Sequence, residues 1–147
     1  MYTRILVPLE NSPSDHTILQ YIRRLARACG KPTLLLIHVA DGWAARNMRE
    51  LDLRESEEMR ADRAYLEQRL AELRGEGYDV DAVLAAGDPA DEIAEVAARE
   101  RCDLIAMATH GHRGLNDMVR GSVASALRHK TFVPVLMVRC PPAPAKS

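Results

Sequence analysis

Aromatic side chains are scarce in this sequence: one Phe, one Trp and four Tyr make up 4% of 147 residues. Any core must therefore be aliphatic, built from Leu, Ile, Val, Ala and Met. Net charge is nearly absent as well, at −1. That argues against a nucleic-acid surface, whose usual footprint is a basic excess. Long apolar runs are missing too. None approaches the roughly 18 residues of a membrane-spanning helix, and the first residues lack the charged-then-apolar form of a secretory leader. A cytoplasmic location with no membrane partner is expected. Cys29, Cys102 and Cys140 stand apart with no CxxC spacing, the pattern of structural thiols in a reducing compartment.

Catalytic signatures are equally hard to find. No Gly-Lys-Ser or Gly-Lys-Thr phosphate loop occurs, so the lysine that neutralises a transferring phosphoryl group is lacking. No Ser-Gly-Gly-x-Asp-Ser loop follows the first apolar segment, and no nucleophile stands with a base and an orienting acid. A binding protein is expected rather than an enzyme, with room only for slow, incidental hydrolysis. His110-Gly111-His112 invites a metal reading, but no third ligand stands at a useful spacing. Exposed loop histidines are the better reading.

What the chain does contain is a regular alternation of short apolar runs and helical stripes. With 47% hydrophobic residues it fits one compact domain, taken as residues 1–140, followed by a Pro- and Ala-rich tail, 141–147, expected to be disordered. Arg4 to Leu9 reads as a first strand, apolar throughout its centre and ended by Pro8. Ser12, Pro13 and Asp15 read as an N-cap, a first helical position and a capping-box partner. Ile18, Tyr21, Ile22, Leu25 and Ala28 follow at helical spacing until Gly30. Thr33 to Val39 is a second strand, with His38 at its end read as a packed polar residue. Residues 41–54 read as a loop and a ragged helix start, and residues 55–73 as a long helix with a solvated charged face. Val80 to Ala86 is a third strand. Asp88 then caps a helix with Pro89 at its first position, and Ile93, Val96 and Ala97 form its buried stripe. Asp103 to Ala108, Ser122 to Lys130 and Val133 to Val138 complete the series as strand, helix and strand. Such alternation calls for right-handed crossovers and a parallel, doubly wound sheet covered on both faces.

The stretch from Cys102 to Val123 carries the most chemistry. A buried strand leads into a loop with Gly111 and Gly114, and Gly121-Ser122 stands just before the last helical pattern. Glycine-permitted turns beside a helix start expose backbone N–H groups to an anion such as phosphate. The same residues also fit ordinary turn glycines and an ordinary N-cap. Arg113 and Arg120 are open to either a phosphate or a solubilising role.

Taken in order, Ile5-Leu6-Val7-Pro8, His38-Val39, Gly87-Asp88-Pro89, Met107-Ala108-Thr109-His110-Gly111, Gly121-Ser122-Val123 and Pro134-Val135-Leu136-Met137-Val138 resemble the universal stress protein family across nearly the whole chain. The resemblance implies a single five-stranded parallel sheet of order 3-2-1-4-5, with a crevice between strands one and four where the strand order reverses. It also implies an ATP-binding module of stress response or signalling, with ATP held together with Mg2+. The phosphates would rest on the N–H groups of Gly111, Gly121, Ser122 and Val123, and the ATP site as a whole would also take in His110. The adenine would face Val39, Pro8 and Leu9, beside Met107 and Ala108, and Glu10 would approach the ribose or metal side. The chain departs from the nucleotide-binding branch at Ala108, where a glycine is usual and a methyl group is expected to narrow the pocket. It departs again at Glu10, where an aspartate is usual, and at Asn11, in place of a common glycine. A homodimer through strand 133–138 is implied as well. The alternative is a dimeric interaction protein of the same fold that binds no nucleotide.

Overall fold

The computed structural model describes residues 1–41, 57–109 and 115–141. Five strands, β1 (Arg4–Pro8), β2 (Thr33–Asp41), β3 (Val80–Gly87), β4 (Leu104–Thr109) and β5 (Val135–Arg139), form one sheet of order β3-β2-β1-β4-β5. Every pairing is parallel. Between the strands run α1 (Ser14–Ala28), α2 (Glu57–Gly75), α3 (Pro89–Arg99) and α4 (Leu115–Lys130). The segment 41–54, apart from Asp41 at the end of β2, lies outside the described residues, as do the loop glycines Gly111 and Gly114 and the tail from residue 142.

Strand alternation sorts the apolar residues onto two faces. Ile5, Val7, Leu34, Leu36, Leu104 and Ala106 pack with Ile18 and Ile22 of α1 and Leu66 and Leu73 of α2. Leu6, Leu35, Ile37, Ile105 and Met107 pack with Ile93 and Val96 of α3 and Leu127 of α4. Ile5, Leu6, Leu34 and Ile105 are wholly buried, and each such side chain contributes about 2 kcal/mol. A strand covered on both faces reads as a continuous apolar run, which is why the sequence marks β1, β2 and β4 so clearly.

Local signals hold at most element ends. Asp88 is the N-cap of α3, in extended conformation, and its side chain accepts the Asp91 N–H, with Pro89 at the first position. Gly87, with φ +141°, lets the chain leave β3 in a conformation that L side chains rarely adopt. At the opposite end of the sheet Asp103 ties β4 to β1: its carboxylate accepts the Thr3 and Arg4 N–H groups at 2.8 and 3.0 Å. Burial alone would raise the Asp103 pKa. The Arg4 and Thr3 donors act against that and leave it below its ordinary value.

Two local expectations change. Helix α1 begins at Ser14 with Pro13 as a cap that offers no side-chain acceptor. The Ser12 hydroxyl pairs with Ser14 at 2.7 Å rather than capping the helix, although Asp15 does reach back to the Ser12 N–H at 3.4 Å. Helix α4 begins at Leu115, not Ser122. Leu115, Met118, Val119, Val123, Ala126 and Leu127 recur at helical spacing straight through Gly121. A single interior glycine costs a helix only about 1 kcal/mol, which such a stripe outweighs.

Candidate functional site

At the carboxyl ends of β1, β2 and β4, where the strand order reverses, lies a cavity of about 280 Å³. This is where an open parallel sheet leaves a crevice, because the connections from β1 and β4 depart to opposite faces. Its wall is aliphatic: Pro8, Leu9, Ile37, Val39, Pro89, Ile93, Met107 and Val123, joined by Glu10 and His38. Among the described residues no lysine or arginine contributes to the lining. A flat apolar group suits the interior, and a hydroxyl that donates to Glu10 suits the rim. Strand geometry adds a recognition edge. The Leu9 N–H donates to the Ile37 carbonyl at 2.7 Å, so Ile37 faces β1. By the two-residue alternation Val39 turns its N–H and C=O to the same side, where β1 has already ended at Pro8.

The loop from β1 to α1 is held by one buried carboxylate. Asp15, 2% exposed, accepts the Glu10 N–H at 2.9 Å and the Asn11 N–H at 2.8 Å. The Tyr65 hydroxyl of α2 donates to the same group at 2.6 Å. Successive backbone N–H groups of this kind are an anion nest; here the chain's own carboxylate fills it. Asn11 adopts φ +59°, a left-handed conformation that Asn tolerates better than most residues. Burial first, and the Asp15 carboxylate second, push the Tyr65 hydroxyl pKa well up, so it stays a donor.

His38 joins this network. Its Nδ1 lies 2.9 Å from the Leu9 carbonyl oxygen, which can only accept, so Nδ1 carries a proton. Its Nε2 lies 3.0 Å from Asp62 Oδ2, and the other oxygen of Asp62 accepts the Asn11 amide at 3.2 Å. The reading of His38 as a packed polar residue agrees with these bonds, yet the ring also borders the cavity. The Glu10 carboxylate is met by the Ser14 and Ser12 hydroxyls at 3.2 and 3.4 Å.

Pro8, Leu9, Glu10, Val39, Met107 and Val123 are thus brought together around one space. Ala108 is not among its lining residues. Its side chain packs with the α1 and α2 cluster on the other face of the sheet, so its methyl group does not narrow the cavity as expected. Strand alternation is the reason: Met107 points to one face and Ala108 to the other. His110 and Gly111 lie outside the described residues. Gly121 and Ser122 lie inside α4, where backbone N–H groups bond to carbonyls four residues earlier. Ile37, His38, Pro89 and Ile93 were not expected at the site. The sequence marks Pro89 and Ile93 as helix start and core stripe, and only the packing of α3 over the strand ends turns them toward the cavity. Among the described residues no group of three or more His, Cys, Asp or Glu is placed to hold a metal ion. Cys102 is buried and its thiol pKa is pushed up by that burial, the nearby Arg4 opposing it.

Comparison with known proteins places this geometry in a family. A profile of the Universal stress protein family matches residues 1–139. Universal stress protein MJ0577 of Methanocaldococcus jannaschii is 27% identical, over 95% of this chain and 96% of its own length. The solved structure of protein MJ0577 superposes with a TM-score of 0.79 at 26% identity, covering 97% of this chain and 99% of that one. A universal stress protein from Archaeoglobus fulgidus solved in complex with dAMP gives a TM-score of 0.68 at 21% identity, with 93% and 98% covered. Another solved with cAMP gives 0.68 at 19%, with 94% and 97% covered. These last two show the shared fold. No helix among the described residues is long and apolar enough to cross a membrane.

Proposed function

The chain belongs to the universal stress protein family, and on that premise we propose that it is a cytoplasmic ATP-binding module acting in stress response or signalling, with no catalytic centre of its own. The observation that carries this reading is the aliphatic cavity at the strand-order reversal, rimmed by Glu10. With no aromatic lining residue among those described, the base would be sandwiched between aliphatic side chains such as Ile93, Met107 and Val123. The N–H and C=O of Val39 suit the N1 acceptor and N6 donor of adenine. Ribose hydroxyls would donate to Glu10. The phosphates would extend from this end toward the backbone N–H groups of Gly111, Gly121, Ser122 and Val123. The complexes of two relatives with dAMP and cAMP support an adenine nucleotide as ligand. Asp15 is filled by loop N–H groups and Tyr65, and Glu10 is engaged by serines. These carboxylates do not fit a protein-held Mg2+ site, so magnesium would come only as the counter-ion of ATP.

A homodimer belongs to the same proposal. Strand β5 is a sheet edge, Met137 on it is 50% exposed, and Phe132 just before it is fully exposed. Pairing of β5 with a second copy would satisfy that edge and cover both side chains. Light scattering should give twice the mass of 16.3 kDa, and Met137→Pro, which removes an N–H that faces away from β4, should reduce it to the monomer.

The test of the main reading is calorimetric titration of nucleotide-stripped protein with ATP and magnesium. Saturable binding of one ATP per chain is the expected result. No heat at millimolar ATP would overturn the reading and leave the interaction protein of the same fold.

A further inference from the structure

None of the described side chains of helix α2 lines the cavity, yet two of them reach the elements that shape it. We infer that Asp62 and Tyr65 are positioning residues for nucleotide binding: they hold His38 and the β1–α1 loop in the geometry that forms the base and ribose end of the cavity. This rests on the nucleotide reading above and extends it to a helix on the opposite face of the sheet.

The connections are short and continuous. Asp62 Oδ2 stands 3.0 Å from His38 Nε2, and His38 Nδ1 donates to the Leu9 carbonyl at 2.9 Å. Asp62 Oδ1 accepts the Asn11 side-chain amide at 3.2 Å. Three residues along the helix, the Tyr65 hydroxyl donates to Asp15 at 2.6 Å, and Asp15 in turn holds the Glu10 and Asn11 N–H groups. Leu9, Glu10 and His38 all border the cavity. The two side chains of the His38–Asp62 pair are 11% and 12% exposed, so water competes little for either partner. Residues three apart share a helix face, which lets one helix grip the loop at two points.

Calorimetry with adenosine and with ATP tests this, on wild type, Asp62→Asn, Asp62→Leu and Tyr65→Phe, each with a thermal melt. Asp62→Leu should weaken both ligands by the same factor, roughly tenfold, since only the shared end is touched. Tyr65→Phe should do so by about threefold. An Asn side chain can pair with His38 through its amide and with the Asn11 amide through its carbonyl. Asp62→Asn should therefore stay within about threefold of wild type, a rescue specific to the two polar contacts. If Asp62→Leu is folded and binds adenosine as wild type does, the inference is overturned. If folded Tyr65→Phe binds adenosine as wild type does, it is overturned even should the Leu variant not fold. Wild type binding neither ligand would instead overturn the nucleotide reading, and this inference with it.

Discussion

The base end and the phosphate end of the proposed nucleotide site differ in how they are built. Around the base, five elements, β1, β2, β4, α3 and α4, converge on an aliphatic cavity, and the β1–α1 loop beside it is tied down by Asp15, Asp62 and Tyr65. Toward the phosphates, α4 runs unbroken from Leu115 to Lys130, so the N–H groups of Gly121 and Ser122 are engaged within the helix. One end is ready for its ligand as it stands. The other would have to give up helix: phosphate contacts at residues 121–123 require residues 115–120 to unwind. The difference teaches that preorganisation sits where hydrophobic burial is large, whereas the glycine-bearing end trades helix hydrogen bonds for phosphate bonds of similar strength.

The largest expected effect comes from filling the base end. Val39→Trp should abolish adenosine and ATP binding alike, by at least about 100-fold in a titration, with an unchanged melting temperature because Val39 is only partly buried in a strand that tolerates Trp. Equal loss of both ligands would sharpen the contrast, while loss of ATP alone would break it. Next is Gly121→Val, which should lower ATP affinity by about tenfold or more, to the level of adenosine, and leave adenosine unaffected. Valine favours the interior of a helix over glycine, and its branched side chain occupies the proposed phosphate seat. Amide exchange of residues 115–120 should speed up when ATP is added to wild type but not to this variant.

Smaller effects separate stability from binding. In Gly87→Ala the new Cβ would lie 2.8 Å from the Glu92 carboxylate oxygen, at φ +141°. Denaturant titration should show a loss of about 1–2 kcal/mol, together with a modest fall in adenosine affinity, because Pro89 and Ile93 follow directly. Asp103→Asn should cost about 1 kcal/mol and change neither affinity, since it lies at the far end of the sheet. The Asp103 pKa is lowered in the folded protein. Its stabilisation is thus present above the ordinary aspartate value of about 4 and is lost as pH falls through the lowered one. The Asn variant should lack that part of the acid sensitivity, as pH-dependent melts would show.

Much of the fold could be read from residues alone. Strands such as Leu34 to Ile37 and Leu104 to Met107 announce themselves because both their faces are buried. Asp88-Pro89 marks a helix start through its own local bonds. The start of α4 was misread because Gly121 is a local breaker signal, whereas the stripe through Leu115 and Met118 favours continuing the helix. At the site, Pro8, Leu9, Glu10, Val39, Met107 and Val123 were legible through family motifs. Pro89 and Ile93 were not, since their place at the cavity depends on how α3 lies across the strand ends. Asp15 was read as a helix cap. Its larger role as the anchor of the loop needs Tyr65, 50 residues away.

The sequence by itself determined the order and kind of the elements, since apolar periodicity and capping act over a few residues. It also contains no Gly-Lys-Ser/Thr phosphate loop and no CxxC pair. The tertiary structure alone decided which face each strand residue meets, turning Met107 to the cavity and Ala108 away from it. It also decided that α2, remote in sequence, grips the loop at the base end. Register and helix placement are set by close packing of the whole core, and contacts between distant segments exist only once that packing is complete.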